Sequence, residues 1–176
     1  ESDTPDHCYH VENYTAAILD MLDHEGIERT DVVGYHMGAL LAFDLAHSHP
    51  TRVRRLVFEG LPYWDLRGGQ KVWELALLPS FTDNDSFDVP VPPFTSWEDA
   101  ATQDSALDHA LWAHREELKG KSRRWIHDAM KAITAYDVRV AAPGVTAPVL
   151  LLNGEHDPML RGAERALEAL PNCLSH

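Results

Sequence analysis

The sequence predicts an α/β fold, a three-layer, mostly parallel sheet interrupted by an inserted helical lobe. Helical and strand periodicities alternate along the chain, and one strand runs into a helix with almost no loop between them. After Trp64 the composition shifts to Trp-, Pro- and Gly-rich chain before the regular pattern returns. Such alternation belongs to a parallel sheet whose crossover helices lie against its faces.

The elements follow in order. Val11, Tyr14, Ala17, Ile18, Met21 and Leu22 recur at three and four, which predicts a helix ended by Gly26. Asp31 to Gly34 is a short apolar strand, and Met37 to His47 reads at once as a second helix, so Gly34, Tyr35 and His36 must make a tight turn. His49-Pro50 closes that helix, because proline disfavours the helical conformation of the residue before it. Arg55 to Glu59 is the next strand, bounded by Gly60 and Pro62. Residues 64–142 read as the insertion, with helical spacing over Trp97 to Glu117 and Arg123 to Tyr136 and an extended loop over Asp83 to Pro93. Ala147 to Leu152 is a buried strand, Asn153 to Pro158 a loop and Gly162 to Leu170 a helix. The organisation is therefore core (1–63), insertion (64–142) and core again (143–176).

Composition narrows the function classes. The 176 residues are 44% apolar and 24% charged, an ordinary globular balance, and the formal charge is −13. An acidic surface repels nucleic-acid phosphates and anionic lipid, and the basic clusters at Arg52, Arg54 and Arg55 and at Lys119, Lys121, Arg123 and Arg124 are too short for a binding stripe. The partner expected is a small molecule, with no nucleic acid and no membrane. Apolar runs such as Val149 to Leu152 fall far below the ~18 residues that span a bilayer. Cys8 and Cys173 lie near opposite ends and form no C-x-x-C pair, which predicts a reducing, cytoplasmic setting.

The most informative segment is Asp31-Val32-Val33-Gly34-Tyr35-His36-Met37-Gly38-Ala39. It resembles the nucleophile elbow of the α/β-hydrolase superfamily, in which strand, G-x-nucleophile-x-G and helix follow without a loop. Small flanking residues let the backbone crowd together and thrust the central side chain out above the carboxyl edge of the sheet. The resemblance extends to Ser2-Asp3-Thr4-Pro5, to His49-Pro50 with Val53 to Val57, and to Leu151 to Pro158, where the acid of the triad matches Asp157. It implies catalytic roles for His36 and Asp157, an oxyanion donor in the Met37 N–H, elbow glycines at Gly34 and Gly38, and a helical cap in the insertion. Tyr35, Phe94 and Trp97 are the expected pocket-lining residues. No cofactor and no metal is expected.

Two departures bear on function. His36 stands where the superfamily usually has Ser, less often Asp or Cys, and a histidine cannot form the ordinary seryl ester. At a helix N-terminus neutral imidazole is favoured, and it serves as base or as nucleophile. The resemblance further implies strands and an oxyanion loop before Glu1 and a last strand followed by the triad histidine after His176, so an internal part of a longer protein is expected. His176 falls too early to be that histidine. The expected activity is cofactor-independent hydrolysis of a small ester, lactone or carbonyl compound. The alternatives are a ligand-binding or sensor protein on the same fold, and a cofactor-independent lyase or oxygenase.

The remaining histidines have plainer readings. His7 and His10 with Asp6 and Cys8 lack a second ligand pair, His47 and His49 suit a helix end, and His156 is a loop residue. His109, His114 and His127 are read as surface positions of the insertion, and the five tryptophans pack it.

Overall fold

The computed structural model describes residues 10–77, 96–103 and 105–175. Four parallel strands, flanked by helices, form one sheet in the order β1 (Thr30–Tyr35), β2 (Val53–Glu59), β3 (Val149–Leu152) and β4 (Cys173–Ser175). Helix α1 (Val11–His24) precedes the sheet, α2 (Met37–Ser48) joins β1 to β2, and α7 (Leu160–Ala169) joins β3 to β4. The segment between β2 and β3 carries α3 (Leu66–Val72), α4 (Trp97–Gln103), α5 (His109–Thr134) and α6 (Val138–Ala141).

Because the strand order follows the chain, right-handed crossovers bring α2 and α7 to the same side of the sheet. Burial agrees with that geometry. Leu56, Phe58, Val149 and Leu151 turn inward to meet Leu40, Phe43 and Ala46 of α2 and Ala166 and Leu170 at α7 in one core. Phe43 and Phe58 are fully buried with ring centroids 6.1 Å apart, and each buried side chain of this kind contributes about 1.5–3 kcal/mol. The opposite face presents the aligned row Val33, Val57, Leu150 and Leu174. Its outer members, Val33 and Leu174, are 74% exposed.

The insertion departs from the expected elements in two places. Gly68 and Gly69, read as irregular chain, lie inside α3, which starts because the Asp65 carboxylate accepts the Gly68 N–H at 2.7 Å. The predicted break between Glu117 and Arg123 is absent, and α5 runs through it as one helix. That helix begins instead at Asp108, whose Oδ1 accepts the Leu111 N–H at 2.9 Å. The loop expected over Asp83 to Pro93 lies outside the described residues.

The far end of α5 is fastened to α2 by a buried polar contact. The Tyr136 hydroxyl donates to Asp44 Oδ1 at 2.8 Å, and Ser48 Oγ donates to the same oxygen at 3.3 Å. Asp44 is 2% exposed, and its Oδ2 has no partner among the described residues. Burial, then the Asp44 charge and hydrogen bond, push the Tyr136 phenol well above its ordinary range.

Candidate active site

The β1–α2 corner is as abrupt as the sequence predicts, with only His36 between the strand and the helix. His36 has φ 47° and ψ −109°, and it is the one non-glycine residue at positive φ among those described. A side chain held in such sparsely populated backbone costs about 1–3 kcal/mol and persists only where the surroundings impose it. Here the His36 N–H donates to the Glu59 carbonyl at 2.8 Å, extending the β1–β2 ladder by one bond. The imidazole lies 4.4 Å, centroid to centroid, from the Tyr35 ring.

The two glycines of the motif are not equivalent. A Cβ on Gly34 would stand 2.4 Å from the Gly38 carbonyl oxygen and 2.5 Å from Ala39 Cα, so α2 can leave β1 this sharply only over a bare backbone. A Cβ on Gly38 would meet nothing within 4 Å. The close approach expected on both sides of His36 is therefore made on the Gly34 side alone.

Across the carboxyl edge of the sheet, the turn after β3 delivers Asp157. Its N–H donates to the Gly154 carbonyl at 3.0 Å and its Oδ1 accepts the Met159 N–H at 2.8 Å, which fixes the carboxylate before it meets any partner. Oδ2 faces His36 Nε2 at 3.2 Å. The Asp157 side chain is 10% exposed and that of His36 35%, so the acid is sheltered while the imidazole is open to a ligand. An ionised carboxylate only accepts, so Nε2 carries the hydrogen of this bond and the neutral ring keeps its lone pair on Nδ1.

Met37 and Gly38 begin α2, and the His36 carbonyl receives the Ala39 and Leu40 N–H groups at 3.0 and 3.3 Å. The Met37 and Gly38 N–H groups have no acceptor among the described residues. They are first-turn donors that a developing negative charge can use.

The structure brings His36, Asp157, Met37, Gly34 and Tyr35 to one edge. Tyr35 is 63% exposed. Trp97 packs in an aromatic cluster, with its ring centroid 4.6 Å from that of His109 and 5.7 Å from that of Trp112. Trp112 also lines a shallow groove of ≈ 310 Å³ with Leu107, Leu111 and Leu118. Phe94 lies outside the described residues. Gly60, which the sequence offered only as a strand boundary, lies directly against the His36–Asp157 pair. No local pattern could reveal that, because the three positions meet only in the folded sheet.

The fold and site together define the class. The chain belongs to the alpha/beta hydrolase fold family, whose model matches residues 1–174. Solved structures share the fold at low identity. An enol-lactonase from Burkholderia xenovorans matches with a TM-score of 0.70 at 18% identity, covering 99% of this chain and 66% of that one. A bromoperoxidase from Bacillus anthracis matches with a TM-score of 0.71 at 18% identity, covering 100% of this chain and 68% of that one. A meta-cleavage product hydrolase from Pseudomonas fluorescens matches with a TM-score of 0.65 at 19% identity, covering 99% and 65%. The chain thus spans about two thirds of the length of these proteins. Among the described residues, no helix is long and apolar enough to cross a membrane.

Proposed function

We propose that the protein hydrolyses a small ester or lactone without a cofactor, with the β1–α2 corner acting as an elbow that presents His36 and with Asp157 as its partner. The observation that carries the reading is the 3.2 Å bond from His36 Nε2 to Asp157 Oδ2, made by a histidine held in strained backbone beside free helix N–H groups. Strain maintained at one polar, accessible residue is a mark of a working site. The ester and lactone class draws on the fold neighbours, of which one is an enol-lactonase. The insertion between β2 and β3 stands in this reading as the cap over the site, and the acidic charge fits a small-molecule partner in the cytoplasm.

In this reading His36 is the general base. Nδ1 takes a proton from water as the water oxygen bonds to the carbonyl carbon, and the carbonyl π pair moves onto oxygen. The Met37 N–H donates to that oxyanion. The imidazolium so formed is stabilised by the Asp157 carboxylate at Nε2. When the tetrahedral intermediate collapses, the C–O bond to the leaving alcohol breaks and Nδ1 returns its proton to the departing oxygen. A lactone would open to a hydroxy acid by the same steps.

The test is hydrolysis of a panel of p-nitrophenyl acyl esters and simple lactones by the protein and by His36→Ala and Asp157→Asn. Each substitution is expected to lower turnover by about 10²–10⁴-fold, the range of a positioned acid–base group. Hydrolysis undiminished in His36→Ala would overturn the assignment. Ligand binding without turnover in the unsubstituted protein would replace it with a binding function. An acyl adduct on His36 in mass spectra would make the residue a nucleophile instead of a base.

A further inference from the structure

Gly60 ends β2, is buried, and has φ +66°. Its N–H donates to the Leu152 carbonyl at 3.0 Å, which ties the end of β2 to the end of β3 and leaves the Gly60 backbone little room to retreat. A Cβ built on it would stand 2.5 Å from Asp157 Oδ2, 2.6 Å from His36 Cδ2 and 2.7 Å from His36 Nε2. Two of these atoms are the acceptor and donor of the His36–Asp157 hydrogen bond, and the third is bonded to the donor. The volume a side chain would take at position 60 is the volume in which the pair meets.

We propose that Gly60 is the positioning residue of the His36–Asp157 pair, its bare Cα forming the seat on which imidazole and carboxylate are held together. The consequence for turnover rests on the function proposed above, whereas the geometry of the pair can be read without any substrate. Positive φ alone would also call for glycine, but that requirement would be indifferent to residue 36. The chain contains its own reference, because Gly26 has the same φ of +66° and a Cβ there would meet nothing within 4 Å.

The experiment is a double-mutant cycle of Gly60→Ala and His36→Ser, with Gly26→Ala measuring the conformational cost alone. The readouts are thermal midpoints and the imidazole ¹⁵N shifts of His36. In the histidine background Gly60→Ala is expected to lower the midpoint by about 2–4 °C or more beyond its effect in His36→Ser. Its effect in His36→Ser should be smaller but stay above that of Gly26→Ala, because the contact with Asp157 Oδ2 remains. The His36 ¹⁵N pattern should change from that of a single Nε2–H tautomer to an averaged one in Gly60→Ala. Failure of Gly60→Ala to fold while His36→Ser/Gly60→Ala folds would be the same result in stronger form, with His36→Gly replacing the serine variant where that does not fold. Equal losses in both backgrounds, failure to fold in both, or an unchanged His36 ¹⁵N pattern would each overturn the proposal. Absence of hydrolysis in the unsubstituted protein would leave these readouts intact, so the two proposals fail separately.

Discussion

Tyr136→Phe removes one oxygen atom from the contact that fastens α5 to α2, and its effect can be worked from the geometry. The hydroxyl donates at 2.8 Å to Asp44 Oδ1, and among the described residues the only other donor to that carboxylate is Ser48 Oγ at 3.3 Å. Asp44 is 2% exposed, so water cannot replace the lost donor without opening the helix contact. The ring itself is retained, including its edge-to-face contact with Phe43 at 6.3 Å. A hydrogen bond to a charged group in such a place is worth about 1.5–3 kcal/mol, which in a protein of this size lowers the thermal midpoint by about 3–12 °C. The shift should be smaller when Asp44 is also replaced by Leu, since removing both partners leaves no stranded carboxylate. The pH dependence has a definite sign. Burial raises the Tyr136 phenol above its ordinary value of 10.0, so its contribution is fully present below pH 10 and declines as the pH rises further, first by ionisation of the unfolded chain. The difference between the protein and Tyr136→Phe should therefore be constant from neutral pH to about 10 and narrow above it. Circular-dichroism melts across that range measure both effects. A midpoint change under about 1 °C, or additivity with Asp44→Leu within about 0.5 kcal/mol, would refute the reasoning.

Three further outcomes follow from the same structure. Gly34→Ala should destabilise by about 1–3 kcal/mol because the new methyl meets only backbone, whereas Gly38→Ala, in open space within α2, should be neutral or stabilise by up to about 1 kcal/mol. Denaturant midpoints decide it, and equal losses would contradict the asymmetry. The Gly68 N–H, assisted by Arg139 against a partial opposing effect of burial, holds the Asp65 carboxyl below its ordinary 3.8. Its stabilisation is present above that pH and lost below it, so Asp65→Asn should remove part of the acid limb of stability, and superimposable acid titrations would rule this out. His36→Gly should be more stable than His36→Ala by about 1–3 kcal/mol, since glycine relieves the positive φ. An alanine variant at least as stable would mean that the corner stores no strain.

Much of this architecture was legible because the sequence changes period where the chain changes direction. The passage from β1 to α2 is written in the switch from a short apolar run to helical spacing across Gly34, Tyr35 and His36, and no tertiary information is needed to see that the turn is tight. Asp157 was legible through the resemblance of Leu151 to Pro158 to the superfamily's acid-bearing turn, since the local pattern alone does not separate it from Glu155. Inside the insertion, local signals misled. Gly68-Gly69 carries poor helix propensity, yet Asp65 caps α3 around it and supplies a bond that propensity does not count. The supposed break near Gly120 fails because one interior glycine costs only about 1 kcal/mol against the propagation of a long helix. The Asp44–Tyr136 contact and the place of Gly60 were beyond reach, since each joins residues far apart in the chain that nothing local distinguishes.

His36 and Gly60 are better understood as one feature than as two. An imidazole extends farther from its Cα than a hydroxymethyl group, so a histidine at this corner reaches the acid directly. It can bond the acid itself only if the space where they meet is clear. Gly60 clears it from the β2 side, and the Gly154–Asp157 turn brings the carboxylate to it from the β3 side. The β1–β2 register supplies the remaining constraint, because the His36 N–H bond to Glu59 sets how far the corner projects over the sheet. Three strands thus converge on a single 3.2 Å hydrogen bond. A strained backbone can persist there because it is held by the Glu59 carbonyl at its N–H and by the Asp157 carboxylate at its imidazole.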